Sequence, residues 1–198
     1  MKSEWRSNIK NYGGMFQMKE RILKLFPEIN WVQDPVLKEK VLATLEEALK
    51  MGGWEPEDME KMPFTLLIPD CPASLLTHFR GVVRMSKAAM EEFNSLYDYK
   101  LDNDTLIAGA ILHDVGKLVE YTRDENGKVV KSATGKDLRH PFSGVGLAMK
   151  NDIPTPICHC IAVHAGEGDG KHRSPEAVVI NKADFLNFET LKSFLGLI

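Results

Sequence analysis

Residues 111–117 read Ile111-Leu112-His113-Asp114-Val115-Gly116-Lys117, and the fold turns on how that string can be accommodated. It closes a helical stretch, 104–118, whose apolar stripe runs through Ile107, Ile111 and Leu118, so Asp114 falls on a core position beside His113. Burying a lone carboxylate is expensive. It must neutralise, or pair with a cation or a metal.

The same coincidence recurs on neighbouring segments. A helix over 74–97 has the stripe Leu75, Phe79, Val82, Ser86, Ala89 and Phe93, with His78 inside it. His140 precedes Pro141 with Gly144, Leu147 and Ala148 below it, on a helix over 141–150. His164 continues Ile157, Cys160 and Ile161 on 155–165, and Asp184 continues Ala177, Ile180 and Asn181 on 175–190, with Phe188 beyond. One core histidine is ordinarily structural. Metal-type side chains on the inward faces of successive helices are a different matter: imidazole nitrogen with carboxylate oxygen suits Fe, Mn, Zn or Ni, and an aspartate has two oxygens with which to bridge. Gly109, Gly144, Gly146 and Ala148 would let the helices approach closely.

Working outward, the chain has 198 residues, 43% hydrophobic and 27% charged, which predicts a globular body rather than disorder or coiled coil. The formal charge of −3 and pI near 6.1 disfavour duplex nucleic acid as a partner. The longest apolar run, Leu106–Leu112, is far short of the roughly 20 residues that span a bilayer, so no membrane association is expected. The N-terminal residues carry no apolar signal core, and three cysteines (Cys71, Cys158, Cys160) form no disulfide framework; both point to a cytoplasmic address.

The expected organisation is all-α: a helical preface over 1–68 followed by a body over 69–198. Asp34-Pro35 starts a helix that Gly52-Gly53 stops, and the proline-bracketed segment 63–72 reads as an extended linker. Asn126-Gly127 between Val119-Glu-Tyr-Thr and Lys128-Val-Val-Lys predicts a two-stranded flap over 119–132, and Asn103 or Asp104 is the expected cap of the 104–118 helix. Residues 1–25 carry a basic excess and 45–60 an acidic one, read as solvated helix faces, with an intramolecular or homodimer contact as the alternative.

The order His78, His113-Asp114, Asp184 resembles the HD-domain superfamily of metal-dependent phosphohydrolases, and Ile111–Lys117 is similar to its most recognisable segment. The resemblance runs from about Ser74 to Phe188. It implies an HD helical bundle with a small β-hairpin insertion and two divalent metal ions. One would be held by His78, His113, Asp114 and Asp184, the other by Asp114, His140 and His164, with Asp114 bridging. Iron or manganese is the first expectation, and Mg, Zn or Ni the alternatives. His140-Pro141 with Gly144 resembles the His-Pro-x-x-Gly element of the branch that contains cyclic-dinucleotide phosphodiesterases. That branch's Gly-Tyr-Pro signature is absent, Gly168-Asp169-Gly170-Lys171 standing there instead. The hairpin and Ser174–Ala177 are more similar to the HD part of a bacterial 3′–5′ exoribonuclease family, without its OB-fold.

What the resemblance implies about activity is hydrolysis of a nucleotide or other small phosphoester by metal-activated water. Asp114 and Lys117 are the expected catalytic groups. Lys117 lies three residues after Asp114 on one helix face, placed to hold a substrate phosphate, or else simply to complement the helix dipole. Two alternatives share the motif: a diiron HD-type oxygenase and a non-catalytic HD-like signalling module. Lys171, His172 and Arg173 end a glycine-rich loop and are candidate phosphate contacts. Cys158-His159-Cys160 lacks a second ligand pair and is not read as a zinc site. Trp5, Trp31 and Trp54 are expected as core or interface anchors, with a lid over the site as the other possibility.

Overall fold

The computed structural model describes residues 17–198. Helical residues 17–25, here α1, lead through a 3-10 turn, Pro27–Trp31, into α2, Pro35–Gly52. Asp34 caps α2 by accepting from the Val36 N–H at 2.8 Å, and Gly53, at φ +71°, ends it in the left-handed conformation that glycine takes without strain. The remaining elements are α3 (Leu75–Leu96), α4 (Asn103–Leu112), α5 (Lys117–Glu120), the hairpin β1 (Tyr121–Arg123) and β2 (Val129–Lys131), α6 (Ala133–Asp137), α7 (His140–Lys150), α8 (Thr155–Val163) and α9 (Pro175–Phe194). The architecture is the expected helical bundle with one small hairpin, paired antiparallel as Tyr121 with Lys131 and Arg123 with Val129. The short α6 carried no sequence signal.

The N-terminal helices and the later ones share a single core. Ile22, Phe26, Leu42, Leu45 and Leu49 pack in one cluster with Phe79, Ile107, Ile111, Ile161 and Ile180. Buried Trp54 donates from Nε1 to the Leu118 carbonyl at 2.8 Å, tying residues before 68 to the back of α5 rather than covering the site. Trp31 is half-buried under Lys87, and Trp5 lies outside the described residues. The proline-bracketed segment is a strap, anchored where the Phe64 N–H donates to Ala73 and the Leu75 N–H to Met62.

Four local expectations are corrected. The helix expected over 104–118 breaks: beyond Leu112 the backbone switches to i,i+3 bonding, Val115 to Leu112 at 3.0 Å and Lys117 to Asp114 at 2.9 Å. The break falls where α7 abuts the chain, since a Cβ on Gly116 would lie 2.1 Å from the His140 carbonyl oxygen. The cap of α4 is Asp102, whose carboxylate accepts from the Thr105 N–H at 2.8 Å; Asp104 instead accepts from the Gln33 and Asp34 N–H groups, joining α4 to the start of α2. The expected α3 stripe ends at Ser86, Ala89 being exposed and Phe93 38% exposed while Met90 is the buried residue of the next turn. Gly146 faces open space, whereas Gly109 and Gly144 meet Cys160 and Ile161 at about 3.0 Å from a built Cβ.

Two glycine substitutions in helical conformation should therefore have opposite signs. Gly116→Ala should destabilise the protein by roughly 1–3 kcal/mol, because backbone rather than a flexible side chain must move. Gly146→Ala, with nothing in its way inside α7, should stabilise it by about 0.5–1 kcal/mol. Urea midpoints of the two variants against the parent check both.

Candidate metal centre

His78 comes from α3, His113 from the end of α4, Asp114 from the tightened turn after it, His140 from the first residue of α7, His164 from the end of α8 and Asp184 from the middle of α9. The fold brings all six together. Their donor atoms form two groups, His78, His113, Asp114 and Asp184, then Asp114, His140 and His164, each with its atoms within 4.8 Å of one another. Asp114, 1% exposed, belongs to both. Its Oδ2 lies 3.2 Å from His78 Nε2 and 3.4 Å from His113 Nε2, and its Oδ1 lies 3.1 Å from His140 Nε2 and 3.4 Å from His164 Nε2.

Each of the four imidazoles is turned the same way. Nδ1 faces an acceptor outside the cluster: Asn187 Oδ1 at 2.9 Å for His78, the Ala110 carbonyl at 2.7 Å for His113, Glu120 Oε2 at 2.8 Å for His140 and the Ile161 carbonyl at 2.7 Å for His164. Those partners fix the proton on Nδ1 and leave the Nε2 lone pairs pointing inward. The lone pairs converge on a carboxylate. Among the described residues, Asp114 Oδ1 and His164 Nε2 are buried with no hydrogen-bond partner, an arrangement costly unless positive charge sits between them. The donor set therefore fits divalent cations on its own chemistry.

The electrostatics agree. Burial alone would push the His78 and His140 pKa values down, yet Asp114 with Asp184, and Asp114 with Glu120, outweigh it and raise both. At wholly buried His113 burial wins, and its pKa falls. Burial would raise Asp114, but the Lys117, His113 and His140 charges hold it well below the usual carboxylate range. Lys117 Nζ sits 2.6 Å from Asp114 Oδ2, because the tightened turn stacks residues three apart.

A cleft of about 280 Å³ opens onto this centre, with Asp114, Lys117, His140 and Asp184 at its floor, Phe64, Leu66, Phe185 and Phe188 on its sides, and Lys131 and Arg139 at its edge. Of the loop 165–173, Ala165 and Gly166 line the cleft, but Lys171, His172 and Arg173 do not. Arg173 is spent on the loop itself, donating to the Val163 and Ala165 carbonyls at 2.8 and 3.0 Å and pairing with Asp169. Cys158 and Cys160 are buried thiols, and His159 Nε2 accepts from the Ser174 N–H at 3.1 Å, so that triplet serves packing and the entry to α9.

The HD domain family matches this chain over residues 75–187. The chain belongs to the HD-domain family. A relative, the dihydroneopterin 2′,3′-cyclic phosphate phosphodiesterase of Methanocaldococcus jannaschii, is 26% identical over 176 residues, covering 83% of this chain and 67% of the relative. No solved structure matches. As an HD-domain protein the chain is a hydrolase of phosphoesters with a cluster able to hold divalent metal. Among the described residues no helix is long and apolar enough to cross a membrane.

Three site residues escaped the sequence. Phe64 of the strap stacks on the His78 ring at 4.3 Å. Asn187, one helical turn beyond Asp184, could have been found from that spacing. Glu120 carried no signal: between Val119 and Tyr121 it reads as a solvent-facing strand residue, yet it is 4% exposed and takes both the backbone N–H and Nδ1–H of His140 on one oxygen, each at 2.8 Å. Burial would raise its pKa, but His140, with help from Lys131, holds it down to about 2. A carboxylate depressed from about 4.5 contributes stability that is present above pH 4.5 and lost as pH falls toward 2. Glu120→Gln should therefore lower the stability of the metal-free protein by roughly 1.5–3 kcal/mol near neutrality, with the gap to the parent closing between pH 4.5 and 2 in a urea-unfolding series.

Proposed function

We propose that this HD-domain enzyme hydrolyses a small phosphodiester, a nucleotide or another cyclic phosphate of similar size, at a dinuclear centre. His78, His113, Asp114 and Asp184 would hold one divalent ion and Asp114, His140 and His164 the other. The observation that carries the reading is the two-sidedness of Asp114, each oxygen facing its own pair of inward imidazole lone pairs. Divalent cations in such a site polarise phosphoryl oxygens and make water a competent nucleophile at neutral pH.

The protein's own groups do the rest. Lys117, 8% exposed, lines the cleft with its Nζ within a hydrogen bond of Asp114, and its remaining N–H donors would serve a phosphoryl oxygen bound beside that carboxylate. Glu120 holds His140 in one tautomer and one orientation, and Asn187 does so for His78. Lys131 and Arg139 line the rim already ion-paired, with Glu120 at 3.4 Å and Glu167 at 3.0 Å, so an anionic ester would meet them as hydrogen-bond donors rather than as free charge. The relative's activity on a 2′,3′-cyclic phosphate supports a five-membered cyclic diester as the first substrate class to assay, and supports hydrolysis over the oxygenase alternative.

Metal analysis of purified variants tests the assignment: His140→Ala and His164→Ala should each fall toward one ion per chain, and Asp114→Ala should lose both. Unchanged stoichiometry in all three would sink the dinuclear reading. A panel of nucleoside and pterin 2′,3′-cyclic phosphates against phosphomonoesters should reveal metal-dependent turnover of the cyclic diesters. On the best of them Lys117→Met should cut kcat/KM ten- to hundredfold, about 1.5–3 kcal/mol for a lost charge-assisted hydrogen bond. A metal-replete parent protein that turns over no phosphoester would overturn the proposal.

A further inference from the structure

The cleft is built in two chemically distinct halves. Its polar half is made of paired charges: Lys117 with Asp114, Lys131 of β2 with Glu120, and Arg139, just before α7, with Glu167. The strap and α9 supply carbon. Leu67 of the strap lines the cleft while 79% exposed, and Leu66, Phe185 and Phe188 are half-buried around it. Strap and helix meet at the edge-to-face contact of Phe64 with Phe188, ring centres 6.1 Å apart, so these side chains form one continuous wall. Lys192 lies over the Phe188 ring at 5.4 Å, leaving the leucines and Phe185 as the wall's open part.

This wall begins next to the chemistry. Lys117 Nζ is 2.6 Å from Asp114 and 5.4 Å from the Phe64 ring centre, so a group attached through an ester oxygen to a phosphate on the cleft floor falls against it. Apolar side chains left toward water at a polar site await an apolar occupant, and aromatic rings gain most from a flat partner. A volume of about 280 Å³ is the size of one small ligand.

On the reading that this site cleaves phosphodiesters, we infer that its substrate carries a flat, uncharged aromatic ring, and that Leu66, Leu67 and Phe185 are the residues that select it. The bare sugar phosphate lacks the partner the wall requires.

Two esters with the same scissile bonds separate the ring's contribution: adenosine 2′,3′-cyclic phosphate and methyl β-riboside 2′,3′-cyclic phosphate, assayed with the metal-loaded full chain. The adenosine ester should have the higher kcat/KM, by roughly five- to hundredfold, with the difference residing in KM, as stacking of one base predicts. A Leu67→Ser, Phe185→Ser double variant should shrink that ratio several-fold. Leu67→Ser alone, at a side chain mostly in water, should shrink it part-way and guards against a folding failure of the double variant. Equal kcat/KM for the two esters in the parent, or an undiminished ratio in folded variants, overturns the inference while the phosphodiesterase reading stands. Turnover of neither ester, nor of any other phosphoester in the substrate panel, overturns that reading, and the inference falls with it.

Discussion

The carboxylate of Asp114 is a charge buried at 1% exposure, and the rest of the molecule is arranged around making that tolerable. Four imidazole nitrogens and one ammonium group stand within 3.4 Å of it, each a potential cation or the ligand of one. A buried ion stripped of its partners costs several kcal/mol, so the elements that carry those partners cannot move independently without exposing that cost. Bundle packing and site geometry are thus the same constraint.

That constraint explains why the backbone departs from regular helix where it does. An uninterrupted helix over 104–118 would carry Gly116 and Lys117 past α7 at a different angle. The i,i+3 turn after Leu112 lets the His140 carbonyl come to 2.1 Å from where a Cβ on Gly116 would stand, and it sets Lys117 over Asp114. The outer hydrogen bonds of the imidazoles then lock the donors in place. Backbone carbonyls at positions i−3 serve His113 and His164, so those two rings are oriented by their own helices. His78 and His140 instead depend on distant side chains, Asn187 and Glu120, and so on the docking of α9 and of the end of α5, where the hairpin begins.

The hairpin's place in the structure follows from Glu120. That residue begins the insertion whose far end, Ser132, returns to donate its N–H to the Glu120 carbonyl at 2.8 Å. Gly135 of α6 packs against the same carbonyl, 2.2 Å from a built Cβ, so no larger residue fits there. A three-residue ladder too short to be stable alone is held by this closure, and it brings Lys131 to the edge of the cleft.

Apolar periodicity made the helices legible in the sequence, and the six inward histidines and aspartates were legible because metal-type side chains on core stripes are physically anomalous. Both ends of α2 and the hairpin turn were readable too, because Asp34-Pro35, Gly53 and Asn126-Gly127 act within a few residues of themselves. Lys117 was legible through its spacing from Asp114. Glu120, Phe64 and the apolar wall were not, because their roles depend on contacts between segments far apart in the chain. Glu120 reaches His140 across a 20-residue interval, and Phe64 reaches His78 and Phe188 from a strap with no periodicity. Helical periodicity determined that the six candidate ligands point inward. Only the tertiary structure decided which of them meet, because burial is written in the period of one helix, whereas contact requires the packing of several.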